Sequence, residues 1–190
     1  EERKRKREEE KRHQKNKEVL LQDINQIRDG KNFGALHFLR YQMREKGSGN
    51  SWGQASWRSL IPKYGTEVAE AARAGFKRIW RDWSPPLPHE TSSRKEIENG
   101  IPVGLTGLAL DAADGLDFQS LSTDELNKAT RYAMRELNGF PEWLNKLAEF
   151  FPVAVRSTIA ECVKADYAIA SDQECPHDVL AKLVYAADSL

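Results

Sequence analysis

The chain has 190 residues, with 29 basic and 29 acidic side chains and therefore a formal net charge of zero. The charge is unevenly placed, because residues 1–17 carry nine Lys or Arg and five Glu, a net of +4, which leaves −4 on the rest. A mildly acidic body argues against a strong general affinity for phosphate backbones, and the length fits one domain with a hydrophobic core.

Residues 1–29 are predicted to form a charged lead-in helix. The first 18 residues are almost continuous charge, with opposite signs at i,i+3 and i,i+4 spacing. An apolar stripe follows, formed by Leu20, Leu21, Ile24 and Ile27. Gly30 is a typical helix end. We interpret this segment as an exposed, solvated helix. The alternative is a nucleic-acid-binding tract, against which the interrupting acids argue.

Residues 30–190 are predicted to form a helical domain. The segment NFGALHFLRYQMREKG has apolar residues at helical spacing and ends at Gly47, and the loop GSGNS follows. The segment SWGQASWRSLIPKYG reads as a short helix broken at Pro62. Thr66 is expected to cap the next helix, TEVAEAARAGFKRIWRDW, which stops before Pro85.

The stretch RAGFKRIWRDW, residues 73–83, interleaves aromatic and basic residues in a way that suggests a nucleic-acid surface. When residues 68–83 are placed on a helical wheel, the apolar residues fall within an arc of about 120°. This edge consists of Val68, Ala72, Phe76, Ile79, Trp80 and Trp83. A basic row of Arg73, Lys77 and Arg81 lies on the opposite side. We therefore predict a buried edge and a basic row that is either a solvated face or a docking site for an acidic partner or a phosphate.

A Pro-rich, polar loop of about 15 residues follows, which is long for a compact domain. The next helix, IPVGLTGLALDAADG, has the composition of a buried helix, and Gly104 and Gly107 suggest the close approach of another helix. Ser122 and Glu125 form a capping box at the start of a helix that is expected to end at Gly139. Asp111, Asp114 and Asp117 are three residues apart, but Gly115 breaks the segment, so we interpret them as a helix end and turn rather than as paired catalytic carboxylates.

Three further helices complete the chain, the last predicted over 176–189, which gives eight or nine short to medium helices in all. No segment resembles a strand. Residues 60–80 align with 147–167, which pairs Leu60 with Leu147 and Trp80 with Tyr167. Possible repeat units are therefore 30–88 and 100–171. The predicted fold class is all-α, as stacked helical hairpins in a HEAT-like α-solenoid segment. Chance similarity between amphipathic helices is the alternative.

No motif for catalysis, a cofactor or a metal is found, so we expect no enzyme activity. Gly30-Lys31-Asn32 lacks the other residues of a phosphate-binding loop, and GSGNSWG is not a dinucleotide-binding motif. Cys162 and Cys175 can form neither a disulfide framework nor a four-ligand zinc site, so a reduced cytoplasmic setting is the default. No apolar run is long enough to span a membrane. A small enzyme whose site assembles from distant residues, such as His37, remains the alternative.

Two tryptophans are candidates for a surface that binds a protein partner. Trp52 and Trp57 follow the glycine loop, on a short helix that cannot easily bury both. The alternative is that both belong to the core between repeats.

Several phrases resemble a known family: FGALHFL, SWRSLIPKYGTEVAEAARAGFKRIWRDWSPPLP, IPVGLTGLALDAA and LNGFPEWLNKLAEFFPVAVR. They are similar to the helical-repeat regions that follow the nucleotide-binding module in large bacterial STAND-type proteins, including NACHT-domain NTPases associated with antiphage defence. The similarity covers roughly residues 30–170 and consists of patterns of Trp, Gly and apolar residues. None of the family's nucleotide-binding residues has a counterpart here.

The resemblance implies a sensor or scaffold region without catalysis of its own, working with protein partners or with neighbouring domains of a longer chain. Because the sequence begins at Glu1 without an initiator Met, we also expect it to be part of a longer protein. The rival hypothesis is a nucleic-acid-binding module that uses the basic N-terminus together with Arg73, Lys77 and Arg81.

Overall fold

The described part of the chain consists of helices joined by turns and loops. The computed structural model of the chain describes residues 1–43, 52–53, 56–91, 98–137, 139–169 and 178–187. These ranges hold ten α-helices: α1 Glu2–Gln22, α2 Ile24–Arg28, α3 Phe33–Met43, α4 Ile61–Tyr64, α5 Thr66–Asp82, α6 Gly100–Ala113, α7 Thr123–Met134, α8 Trp143–Phe150, α9 Pro152–Ile169 and α10 Asp178–Ala187. Short 3-10 helices lie at Trp57–Leu60, Pro88–Glu90 and Phe118–Ser120.

The predicted all-α class is confirmed, because the described residues contain no strand. Ten α-helices are found where eight or nine were predicted. One extra helix arises because the lead-in segment breaks at Asp23 into α1 and α2. None of the helices described has both the length and the apolar composition that crossing a lipid bilayer requires.

The lead-in segment has the apolar stripe that its sequence predicts. Leu20 and Ile27 are buried in the core, and Leu21 and Ile24 pack against it, whereas most of α1 before Leu20 is exposed. Gly30 follows α2 with φ at 76°, a left-handed conformation that glycine adopts without strain. The predicted stop at Gly30 is therefore confirmed.

The link between α4 and α5 corrects the predictions at Pro62 and Thr66. Pro62 lies in the first turn of α4, where a missing N–H is tolerated, so this helix ends after Tyr64 instead of at the proline. Gly65 has φ 86° and ψ 166°, a conformation open essentially to glycine alone, and occupies the cap position of α5. Thr66 is consequently the first residue of α5, and the helix has no side-chain cap.

The buried edge predicted for α5 is confirmed. Val68, Ala72, Phe76 and Trp80 are fully buried, and Ile79 and Trp83 are partly buried against the core. The aromatic residues of the RAGFKRIWRDW stretch thus pack inside the molecule, while the basic residues of the same helix point elsewhere.

Glycines let two helices cross α5 at adjacent positions. A Cβ atom placed on Gly75 would lie 2.0 Å from the Ile27 carbonyl oxygen of α2. One placed on Gly107 of α6 would lie 2.1 Å from the Phe76 carbonyl oxygen of α5. Gly104 lies equally close to the ring of Tyr132. The close approach predicted for Gly104 and Gly107 is therefore confirmed.

Helix α6 is buried on every side, as expected for a helix without a polar face. Every residue from Ile101 to Leu108 is buried. Its Val103 and Leu110 belong to a cluster built from the N-terminal helices. Its Leu105 and Leu108 belong to a second cluster, with Trp80 and the C-terminal helices. The two clusters therefore meet at α6.

Helix α7 begins as predicted and ends early. The backbone N–H of Glu125 donates to Ser122 Oγ at 3.2 Å and the Ser122 N–H donates to Glu125 Oε2 at 3.0 Å, which confirms the capping box. The helix ends at Met134 instead of near Gly139, and beyond it the Glu136 side chain accepts a hydrogen bond from the Leu137 N–H.

Other predicted boundaries fall partly outside the described residues. The Pro-rich loop contains a 3-10 helix at Pro88–Glu90, and 92–97 are not described. The helix predicted over 176–189 is described from Asp178 to Ala187. The predicted end at Gly47 and the side chain of Cys175 lie outside the described residues.

The proposed internal repeat has mixed support from burial. Leu60 and Leu147 are both fully buried. In the next pair, Val68 is fully buried and Val155 is 4% exposed. Trp57 and Trp143, at the starts of corresponding short helices, are also buried. At the other end of the long helices, Trp80 is fully buried whereas Tyr167 is 61% exposed. Burial therefore agrees between these pairs before and near the start of α5 and α9, and it differs at the end of the two helices.

Candidate functional site

The basic row on α5 faces carboxylates of two other helices. Arg73 Nε donates to Asp114 Oδ2 at 2.9 Å. Asp114 is the residue that follows α6, and Lys77 Nζ lies 3.1 Å from Asp111 Oδ1 on α6 itself. Arg81 Nε donates to Glu125 Oε1 of α7 at 2.7 Å. Each cation of the row is thus paired with an acid of the same chain, and the row binds α5 to α6 and α7.

Asp111 is the centre of this network. Its side chain is only 7% exposed. It accepts hydrogen bonds from the Trp80 indole N–H at 3.1 Å and from Arg81 Nη1 at 2.5 Å. Lys77 completes its surroundings. A buried carboxylate is stable when charged donors and hydrogen bonds surround it, as they do here. Asp111 therefore holds the buried edge and the basic row of α5 in one register against α6.

A cavity of about 490 Å³ lies elsewhere on the molecule, and a shallower one of about 450 Å³ lies beside the basic row. The described lining of the latter includes Glu70 and Asp111 as well as the three cations of the row. Arg78 also belongs to this described lining, so cations outnumber acids in it by four to two. Each of the four cations, however, already pairs with a carboxylate of the chain, which a phosphate would have to displace. The geometry consequently favours a structural role for the row over phosphate binding.

The pairing shifts the acids in the direction expected of ion pairs. Hydrogen bonding from Arg73 lowers the pKa of Asp114, with Lys77 adding to the effect against a smaller opposing contribution from burial. Burial alone would raise the pKa of Glu125, but hydrogen bonds from the Ser122 N–H and from Arg81 outweigh it and leave the pKa below its ordinary value. Both acids are thus held in the charged form in the folded chain.

We expect the free energy of unfolding to fall on acidification. Because Asp114 and Glu125 have lower pKa values folded than unfolded, their contribution is complete above the unfolded values near pH 4 and is lost as the pH falls through the folded values. Urea midpoints between about pH 5 and pH 3 would measure this loss. Asp114→Asn should be less stable than wild type at neutral pH and should lose less stability over that range. An equal loss in both proteins would contradict the assignment.

Trp57 is buried, not exposed as a partner-binding patch requires. Only 7% of the residue is exposed, and the Arg58 and Arg73 guanidinium carbons lie 4.7 and 5.1 Å from its ring centroid. Arg73 thus contacts both Trp57 and Asp114, which brings two of the predicted site residues together. Trp57 packs in the N-terminal cluster, in agreement with the alternative that it is a core residue.

Trp52 lies in the other cluster and is partly buried. Three buried side chains from other segments of the chain form hydrogen bonds with the backbone of Trp52 and Gly53. The carbonyl oxygen of Trp52 accepts hydrogen bonds from Arg40 Nη2 and from Thr106 Oγ1, each at 3.2 Å. The backbone N–H groups of Trp52 and Gly53 donate to the two Glu136 oxygens at 2.6 and 2.9 Å. We call Arg40, Thr106 and Glu136 the Trp52 clamp.

One cluster has the composition of a metal site. A ligand atom from each of His89, Glu90 and Glu161 lies within 4.8 Å of the others. Glu90, however, is bonded to Arg131 and to the Leu87 N–H, and a guanidinium at this position repels a metal cation. The cluster is better described as a polar contact between the 3-10 helix at Pro88–Glu90 and α9.

Sequence reasoning identified the basic row but not its partners. Asp111 and Asp114 are three residues apart at the end of α6, and the cations of α5 are four residues apart. This complementary spacing of acids and bases was the signal from which ion pairs between the two helices could have been predicted. The Trp52 clamp and the His89 cluster join segments too distant in sequence for any spacing rule to pair them.

The ionisable side chains described at these sites are joined mostly to one another, so the arrangement holds helices together. Nothing in their geometry pairs a nucleophile with a base, among the residues that the structure covers. In comparisons with known proteins, no family model, curated protein or solved structure matches the chain.

Proposed function

We propose that this chain is a non-catalytic helical scaffold or sensor region of a larger bacterial NTPase of the STAND type. It would act by presenting a surface to protein partners or to neighbouring domains of the same polypeptide, in the cytoplasm. The observation that carries the proposal is the use of its ionisable groups: Arg73, Lys77 and Arg81 are all paired with carboxylates that fix helix packing. The resemblance of residues 30–170 to such repeat regions supplies the family.

The proposal includes a HEAT-like stack of helical hairpins. Twice in the chain, a short helical segment that begins with a tryptophan precedes a long helix. Residues 57–64, which begin with Trp57, precede α5, and α8, which begins with Trp143, precedes α9. Leu60 and Leu147 occupy matching buried positions. Stacks of such hairpins curve into extended concave surfaces, on which repeat proteins bind their partners.

A sensor of this kind works by favouring one arrangement of its helices over another. Helix α5 is suited to pass on such a change, because Phe76 packs in one hydrophobic cluster and Trp80 in the other. A ligand that moved α5 would therefore affect both halves of the chain. An adjoining module would respond only if the ligand binds its two arrangements with different affinity.

The test is an ATPase assay on the purified chain, with Asp111→Asn and Glu136→Gln as variants. We expect no hydrolysis above background in any of the three proteins. Hydrolysis by wild type that one of these substitutions abolishes would show that the chain has its own active site. A reading frame that encodes a Walker-type motif upstream of residue 1 would support the STAND assignment independently.

The rival nucleic-acid hypothesis has a separate outcome in a binding assay. Pairing of Arg73, Lys77 and Arg81 leaves the basic residues of α1 as its main basis. Binding of duplex or single-stranded DNA that weakens steeply with salt, and that disappears without residues 1–17, would favour it over the scaffold.

A further inference from the structure

An exposed aromatic stripe runs along α3. Phe33, His37 and Tyr41 are spaced four residues apart, and their rings are in contact, at centroid distances of 5.9 Å for the first pair and 5.0 Å for the second. Phe33 is 39% exposed and Tyr41 51%. The opposite side of α3 holds the buried Leu36 and Leu39, so the stripe is not needed for the core. It spans about 12 Å along the helix.

The stripe leads into the cavity of about 490 Å³, because Phe33 forms part of the wall of that cavity. We call this space the aromatic cavity. The other described lining residues are Ile79, Trp83, Glu98, Asn99, Gly100, Gly104 and Tyr132. Stripe and cavity are thus one continuous surface.

Two glycines of α6 shape the cavity. A Cβ atom on Gly100 would lie 2.9 Å from the Trp83 ring, and one on Gly104 would lie 2.1 Å from the Tyr132 hydroxyl oxygen. The two rings can therefore lie directly against the backbone of α6. They also contact each other edge to face, with centroids 6.2 Å apart, and the Tyr132 hydroxyl lies 3.4 Å from the Trp83 carbonyl oxygen. The aromatic walls are consequently fixed before anything binds.

The charge of the described lining favours a cationic group as the occupant of the aromatic cavity. Among the described lining residues, Glu98 bears a negative charge and none bears a positive one. The faces of the aromatic rings add a negative electrostatic potential. A planar guanidinium group meets both features, since it stacks on aromatic rings and pairs with a carboxylate, and it is more weakly hydrated than an ammonium group.

We propose that the aromatic stripe and the aromatic cavity form one docking surface for a protein partner that inserts an arginine side chain into the cavity. This inference rests on the proposed function as an interaction module and names the chemistry of its partner. The stripe favours a protein segment over a small molecule, because a small molecule would need the cavity alone. A nucleic acid would need cations for its phosphates, and the described lining offers none.

The experiment titrates the chain with a capped Gly-Arg-Gly peptide and follows the indole N–H signal of Trp83 by NMR, assigned with Trp83→Phe. The matched probe is Gly-citrulline-Gly, which has nearly the same shape without the charge. We expect the arginine peptide to shift the Trp83 signal and the citrulline peptide to bind about tenfold more weakly. Glu98→Gln should reduce arginine binding by a similar factor, and Phe33→Ala should weaken it as well.

Matched controls are Glu149→Gln and Phe150→Ala, which alter exposed residues of α8. Both should bind the arginine peptide like wild type, and thermal melting should show that all variants fold. Equal binding of the two peptides, or unchanged binding by Glu98→Gln, would overturn the proposal. So would a shift from dimer to monomer in Phe33→Ala, since the surface would then belong to a second copy. None of these results bears on the ATPase assay, so the proposed function can survive the loss of this inference.

Discussion

Replacing Gly75 by alanine is expected to lower the free energy of unfolding by about 3 kcal/mol or more. The new methyl group would lie 2.0 Å from the Ile27 carbonyl oxygen, well inside any contact distance. The obstacle is backbone, which cannot rotate away as a side chain can. Relief therefore requires α2 to separate from α5, with loss of the packing of Ile27, which is fully buried. Urea unfolding followed by circular dichroism measures the effect.

Gly34→Ala is the matched control. This glycine is also helical, near the start of α3, but a Cβ atom there would meet nothing closer than 3.8 Å. Alanine has the higher helix propensity, so this variant should be as stable as wild type or more stable by about 0.5–1 kcal/mol. Similar losses in both variants would mean that the crossing of α2 and α5 is not as close as described.

Asp111→Ala is expected to cost about 2–4 kcal/mol. The change leaves the indole N–H of the fully buried Trp80 without its acceptor, and it removes the carboxylate that Lys77 and Arg81 share. The loss stays below that of a wholly buried ion pair, because the side chains of both cations are about a third exposed and can reach water. Chemical denaturation again measures the effect.

Asp111→Asn separates the two contributions. An amide oxygen can still accept the Trp80 N–H, so this variant should lose less stability than Asp111→Ala. Asp29→Asn serves as a control, since Asp29 pairs with Arg78 at a site where both side chains are exposed, and it should contribute less than about 0.5 kcal/mol. A loss for Asp29→Asn as large as that for Asp111→Ala would refute the central role of Asp111.

Local features of the fold were predictable because a few neighbouring residues determine them. The capping box requires only Ser122 and Glu125, three positions apart. The buried edge of α5 follows from the period of its apolar residues, which no loop interrupts. The prediction for Thr66 failed for a local reason as well: glycine at 65 occupies the cap position, so the helix begins one residue too early for Thr66 to cap it.

The site was less predictable because its contacts join distant segments. Asp111 binds Arg81 across 30 positions, and Glu136 binds the backbone of Trp52 across 84. A single sequence records which residues are charged, but it does not record which of them meet after folding. The basic row was therefore found without its acids. The sequence drew attention to the aromatic side chain of Trp52, whereas in the structure it is the backbone of Trp52 that forms hydrogen bonds with Arg40, Thr106 and Glu136.

The burial of α6 has a consequence for how the two predicted units fold. Val103 completes one hydrophobic cluster and Leu105 the other, two positions apart on the same helix. Neither half of the chain can assemble its interior without α6, and α6 alone would leave an apolar surface in water on both sides. The two halves are therefore coupled in folding, and a cut between them near residue 92 would leave the N-terminal half without the helix that closes its core.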